Sequence, residues 1–266
     1  MFNHTPIVLT IAGSDCSSGA GIQADLKTFT SLGCYGLTAV TCVVAEVPGQ
    51  VISIQSVNPD IVRDQIAILF ETFSISAVKT GMLFSQAIVN AIADVFESLP
   101  QLPPLVVDPV MIASSGDTLL EPDAVEAYRE RLFPLSTLIT PNLDELYFLS
   151  SAIKRPESLH EMKSIGQELL AKTKRSLLLK GGHLNIETAT DLLLLQDGTE
   201  YSFSAPFLRD VETHGTGCTY AAAITAYLAQ GDSLPDAVSK AKKVITNAIS
   251  NAYRWNQVSA LQVTLQ

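Results

Sequence analysis

The sequence predicts an α/β protein, a three-layer α/β/α domain with a mainly parallel central sheet, taken as one domain over residues 1–266. Three observations carry this expectation. Short apolar runs alternate along the chain with longer amphipathic stretches, the order that places helices on both faces of a parallel sheet. Several of those runs end in glycine, serine or an acid, the residue types found where ligands meet the carboxyl ends of strands. The chain also has 266 residues, 47% of them hydrophobic, with a mean hydropathy of +0.27, enough to bury a large core.

Composition narrows the function classes. A net charge of −10 and a pI near 4.8 argue against nucleic acid or an anionic membrane as a general partner, so any phosphate site must be local. The four cysteines, Cys16, Cys34, Cys42 and Cys218, show no CxxC or CxxH spacing, and the N-terminus enters an apolar strand without a basic, signal-like segment. Both features read as a reduced, cytoplasmic protein. No apolar run reaches the length that spans a bilayer, and no repeat, low-complexity tract or linker divides the chain.

Taken in order, Pro6 to Ala12 reads as a strand, Gly13 to Gly21 as a loop of small residues, and Ile22 to Leu32 as a helix. The loop lacks the GK[ST] of a Walker loop and the spacing of a dinucleotide fingerprint. Asp25, one helical turn beyond Gly21, is in reach to turn its carboxylate back over the loop; a solvated helix acid is the plainer reading. Leu37 to Ala45 is a Val- and Thr-rich strand with Glu46-Val47-Pro48-Gly49 as its turn, and Val51 to Val57 another strand. Pro59 opens a helix, Ala77 to Thr80 is a short strand reaching Gly81 and Met82, and a helix follows over Gln86 to Phe96.

The second half repeats the pattern. Leu105 to Asp108 is apolar until its acid, and Pro109-Val110-Met111 turns the chain away; Asp108 either faces a ligand crevice or caps the turn. Ser114 to Asp117 reads as a mobile loop. After the strand Ser136 to Thr140, Asn142 is a natural helix cap with Glu145 three residues on, which explains both residues without any chemistry. A helix over Leu159 to Ala171 precedes Ser176 to Leu179, which ends in Lys180-Gly181-Gly182-His183. A lysine closing a leucine run should face a cleft and meet an anion there. Asp191 to Leu195 and Tyr201 to Ala205 form a hairpin with Asp-Gly at its turn, and Ala237 to Tyr253 a final helix.

Between them lies HGTGCTYAAAITA, His214 to Ala226. Gly215 and Gly217 bracket Thr216 at the start of an alanine-rich helix, where N–H groups lack intrahelical partners and the dipole is positive. The turn is thus a candidate cradle for phosphate, and the same field should ease the ionisation of Cys218. A glycine-hinged core helix with a buried cysteine fits the stretch equally well.

The segment TIAGSDCSSGAGIQADLKTF closely resembles the opening of bacterial hydroxymethylpyrimidine/phosphomethylpyrimidine kinases, the thiamin-pathway members of the ribokinase family, and HGTGCTYAAA resembles their second signature. The similarity is colinear over nearly the whole chain. It implies a ribokinase-type fold and transfer of a phosphoryl group from ATP to a small heteroaromatic substrate. By resemblance, Cys218 is the base, Lys180 approaches the nucleotide phosphates, and the Gly215, Thr216 and Gly217 backbone holds the transferring group. Asp108, Asn142 and Glu145 organise Mg²⁺ and its waters beside the phosphates, and Gly13, Asp25, Glu46, Met82 and Val110 surround the ring. The start of the last helix lines the adenine side, and the assembly is a homodimer.

One residue departs from the pattern. Where the pyrimidine kinases usually carry glutamine, this chain has Glu46, and a carboxylate must be protonated, or meet a protonated ring or an acidic hydroxyl, to do the work of an amide. A related group of pyridoxal kinases shares the cysteine, so hydroxymethylpyrimidine and pyridoxal both stand as substrates. A non-catalytic binding protein on the same fold is disfavoured by the joint presence of Asp108, Lys180, Asn142, Glu145 and Cys218.

Overall fold

The computed structural model describes every residue except 1–4, 112–119, 122, 151, 183, 185–187, 209–213, 256–257 and 264–266. The expected loop at Ser114 to Asp117 and His183 lie outside the described residues. Strands β1 (Ile7–Asp15), β2 (Tyr35–Val47), β3 (Gln50–Ser56), β4 (Ile75–Thr80), β5 (Leu105–Val107), β6 (Leu138–Ile139), β7 (Ser176–Leu179), β8 (Thr188–Leu194) and β9 (Glu200–Pro206) form one sheet in the order β3-β2-β1-β4-β5-β6-β7-β8-β9. The run from β2 to β7 is parallel, while β3 at one edge and β8 and β9 at the other are antiparallel.

The helices are α1 (Gly21–Ser31), α2 (Pro59–Thr72), α3 (Gln86–Ser98), α4 (Ala124–Ala127), α5 (Leu143–Ser150), α6 (Leu159–Thr173), α7 (Thr216–Ala229) and α8 (Leu234–Ser250). Strand periodicity shares them between the two faces. In β7, Leu177 and Leu179 join the core made with α2 to α6, while Leu178 joins Tyr220, Ile224 and Val238 of α7 and α8. On that second face Val8 packs with Phe29 of α1 and Ala222 of α7. A buried strand between two helical layers must be apolar on both sides, which is why β7 reads as unbroken leucine.

Several boundaries differ from the sequence reading, three of them informatively. β1 continues through Gly13 and Ser14 to Asp15, because Ser14 and Asp15 still pair with Val43 and Val44 of β2. β2 runs through Glu46, which pairs with Val51, so the turn is Pro48-Gly49 alone, with Gly49 at φ +82°. The last helix begins at Leu234, capped by Ser233, and ends at Ser250. Tyr253 belongs instead to β10 (Tyr253–Trp255), paired antiparallel with β11 (Val258–Ala260), where its ring stacks on Trp255 at 5.7 Å. Among the described residues no helix is long and apolar enough to cross a membrane.

Candidate active site

The predicted residues gather at the carboxyl ends of the parallel strands. Asp108 follows β5 and is buried; its Oδ1 accepts from the Thr140 hydroxyl at 2.9 Å and from Lys180 Nζ at 2.8 Å. Lys180 follows β7, bridges to Asn142, and its N–H donates to the Pro141 carbonyl at 3.0 Å. Burial works against the Lys180 charge, but the carboxylates of Asp108 and Glu145 raise its pKa above the usual value. The lysine at the end of the leucine run therefore meets its anion within the protein.

Asn142 and Glu145 form a reciprocal cap at the start of α5. The Asn142 Oδ1 accepts from the N–H groups of Asp144 and Glu145, each at 2.9 Å, and Glu145 Oε2 accepts from the Asn142 N–H at 2.8 Å. Glu145 is buried, and that burial, opposed by Lys180 and helped by Asp108, pushes its carboxyl up to about 7. Among the described residues no group of three or more His, Cys, Asp or Glu is placed to hold a metal by itself. Asp108 and Glu145 still suit Mg²⁺, which commonly takes one or two carboxylates and completes its shell from water and substrate phosphates.

The glycine turn has the geometry of the expected cradle. Gly215 has φ +78°, a conformation that costs glycine little, and a β-carbon there would collide with the carbonyl of Gly19. The helix α7 then starts at Thr216, with the Thr219 N–H bonded to the Gly215 carbonyl at 2.9 Å. A β-carbon on Gly217 would stand 3.3 Å from Lys180 Nζ and 3.6 Å from Asp108 Oδ2, so the missing side chain opens space between a cation and a carboxylate. The Thr216 hydroxyl is buried without a hydrogen-bond partner among the described residues. These features fit a bound phosphate chain.

Cys218 corrects an expectation. Burial, only partly offset by the positive charge of Lys79, pushes its thiol up to about 11 rather than down. The field of a helix N-terminus is present, yet removing the thiolate from water outweighs it.

Asp25 is the second correction. Its carboxylate does not turn over the loop: it is fully buried against the sheet, where Lys79 Nζ lies 2.8 Å from both oxygens and the Thr10 hydroxyl donates at 2.6 Å. A buried cation on β4 is the stronger attractor for a carboxylate one turn into α1.

The residues expected around the ring include an apolar cluster. Met82 is buried with Cys42 and Val44, and Val110 and Phe84 pack against them; Gly13 comes so near that a β-carbon would be 2.8 Å from Cys42 Sγ and 3.6 Å from Met82 Sδ. The Thr41 hydroxyl fixes this end of β4 by donating to the Met82 carbonyl at 2.6 Å. Val110 has φ +36°, costly for a β-branched residue, and such strain collects at binding sites. Glu46 is half-buried, and burial together with the negative charge of Asp15, partly offset by His214, raises its carboxyl pKa.

The phosphomethylpyrimidine kinase family model matches residues 15–262. The chain belongs to that family. It is 43% identical to the hydroxymethylpyrimidine/phosphomethylpyrimidine kinase of Escherichia coli over 92% of this chain and 91% of that one. It is 45% identical to the thiamine biosynthesis bifunctional protein ThiED of Geobacter sulfurreducens over 91% of this chain, and spans about half of that relative's length (49%). Among solved structures, an ADP complex of Bacillus subtilis pyridoxal kinase superposes with a TM-score of 0.90 at 36% identity, covering 98% of each chain. The fold is thus the ribokinase-like fold of that structure.

Of the residues expected in the site, Lys180, Asp108, Asn142, Glu145 and Gly217 converge at one end, and Gly13, Met82 and Val110 at the other. Three further residues and one pairing escaped the sequence reading: Thr10 and Lys79 around Asp25, Thr140 on Asp108, and the pairing of His214 with Asp15 at 3.1 Å. A lysine inside the apolar strand AVKT was the one signal for Lys79, since a buried ammonium demands an anion.

Proposed function

We propose that this kinase transfers the γ-phosphoryl group of ATP to the hydroxymethyl oxygen of 4-amino-5-hydroxymethyl-2-methylpyrimidine, and then phosphorylates the monophosphate. The observation that carries the reading is the Gly215 to Cys218 turn opening on the Lys180–Asp108 pair, with the apolar Met82 and Val110 wall close to the N-terminal loop. Phosphoryl transfer asks a protein mainly for alignment and charge stabilisation. Backbone N–H groups of Thr216 to Cys218 and the Lys180 ammonium would face the charge that spreads over the phosphoryl oxygens. Cys218 would take the hydroxyl proton as the oxygen bonds to phosphorus. Asp108 and Glu145, with Asn142 holding Glu145 in place, would receive Mg²⁺, which supplies charge neutralisation when bound.

Glu46 is compatible with the pyrimidine. Burial and the charge of Asp15 raise its pKa, which eases protonation on contact with the ring, and only the protonated carboxyl can donate as the family's glutamine amide does. Asp25 would act through Lys79, keeping that cation in place below the site, rather than by touching the ring. The likeness to a pyridoxal kinase structure keeps pyridoxal as the second reading. A homodimer and a cytoplasmic location complete the proposal; the first is read by light scattering.

The test is steady-state kinetics with ATP and Mg²⁺ on both ring substrates, for the native chain and Glu46→Gln. The reading expects the pyrimidine to be favoured in kcat/KM by about tenfold or more, with Glu46→Gln retaining that preference. Pyridoxal turned over in preference, with Glu46→Gln abolishing it, would replace the first reading by the second.

A further inference from the structure

The two signature loops meet through a buried carboxylate. Asp15 ends β1 with a buried side chain, and the loop that follows winds around it. Its Oδ1 accepts from the Ser17 N–H at 2.7 Å, and its Oδ2 from the Ala20 N–H at 2.8 Å and the Ser17 hydroxyl at 3.0 Å. The same Oδ2 lies 3.1 Å from Nε2 of His214, whose side chain is 12% exposed and which stands immediately before the glycine turn. The two segments also approach closely at Gly19. A β-carbon on Gly19 would be 2.6 Å from His214 Cδ2, and one on Gly215 would strike the Gly19 carbonyl.

The carboxylate is held ionised. Burial works against its charge, but the hydrogen bonds from His214, Ser17 and Ala20 outweigh that and lower its pKa to about 2. An ionised acceptor makes a hydrogen bond roughly twice as strong as a neutral one, so this junction is stiff.

We infer that the Asp15–His214 pair is a positioning device that fixes the substrate-side loop of residues 15–21 against the phosphoryl-side turn of residues 214–217. The inference rests on the kinase reading of those two segments. Neither side chain is assigned a bond to a reacting atom; the pair sets the distance between the group that accepts and the group that is transferred. A displacement of about 1 Å at such a junction is enough to cost on the order of 100-fold in rate.

Two properties separate positioning from plain stability. A positioning residue lowers kcat at saturating substrates while each KM stays close to native. It is also rescued by a side chain that restores the same bond: glutamine carries an amide nitrogen at about the reach of Nε2, and alanine does not.

The experiment measures kcat, both KM values and the thermal midpoint for the native chain, His214→Ala, His214→Gln, Gly19→Ala, Asp15→Asn and the double variant Asp15→Asn/His214→Ala. His214→Ala should lose about 10- to 100-fold in kcat, with the KM for ATP changed by less than about threefold, and His214→Gln should recover most of it. The double variant should be no slower than the slower single variant, because one junction is broken in each. Gly19→Ala keeps the histidine but pushes its ring, and should lose kcat in the same way with a native thermal midpoint; it decides the matter if His214→Ala fails to fold.

Native kcat in a folded His214→Ala, rate losses that multiply in the double variant, or a Gly19→Ala loss that is absent or explained wholly by unfolding at the assay temperature would overturn the inference. If the native chain turns over pyridoxal and not the pyrimidine, the substrate reading fails, while the same comparison is made on pyridoxal. Turnover of neither overturns both.

Discussion

Lys79 Nζ stands 2.8 Å from each carboxylate oxygen of Asp25, and solvent reaches neither side chain. Burial alone would lower the lysine pKa, but Asp25, Cys218 and Asp108 raise it, so the ammonium stays charged beneath the glycine turn. Removing one partner strands the other in the core. Lys79→Met and Asp25→Asn are each expected to cost about 3–5 kcal/mol of stability. Urea unfolding checks this, and a loss below about 1 kcal/mol from either would show that the site is hydrated in solution.

A second expectation concerns acid. The carboxyl of Asp15 is lowered from 3.8 to about 2, so its contribution is fully present above the unfolded value and is lost as pH falls toward about 2. A shift of that size corresponds to about 2 kcal/mol. The native chain should therefore lose stability across this window more steeply than Asp15→Asn, which lacks the titrating group. Parallel curves for the two proteins would contradict the hydrogen-bond count at this carboxylate.

Much of the fold was legible in the chain. The alternation of apolar runs with amphipathic stretches announced a sheet covered on both faces, as Leu177, Leu178 and Leu179 now show, and glycine at 215 and 217 announced a tight turn. Lys180 and Asp108 were legible for the same physical reason, since a charge at the end of an apolar run must meet something. What stayed hidden was which distant segments touch. Asp25 and Lys79 lie 54 residues apart and Asp15 and His214 199 apart, and local spacing carries no information about such pairs. Cys218 was misread for another reason: the helix field can be inferred from sequence, whereas the desolvation that outweighs it depends on packing.

That correction yields a kinetic expectation. With its thiol pushed up to about 11, Cys218 is almost wholly protonated at neutral pH. If it is the base, kcat/KM should rise about tenfold per pH unit through neutrality and level off only in the alkaline range. Cys218→Ala should lower kcat by about 10²- to 10⁴-fold, and Cys218→Asp should shift the rising limb toward acid while keeping part of the activity. A flat profile, or full turnover by the alanine variant, would remove the cysteine from the proton transfer.

The most direct measurement is the product mass after incubation with ATP, Mg²⁺ and, separately, hydroxymethylpyrimidine, its monophosphate, pyridoxal and pyridoxine. Gain of one phosphoryl group by the pyrimidine, and of another by its monophosphate, is the expected result and makes Glu46 a tolerated variation of the family glutamine. Phosphorylated pyridoxal with both pyrimidines unchanged would contradict the account and make Glu46 the residue that selects the B6 vitamer.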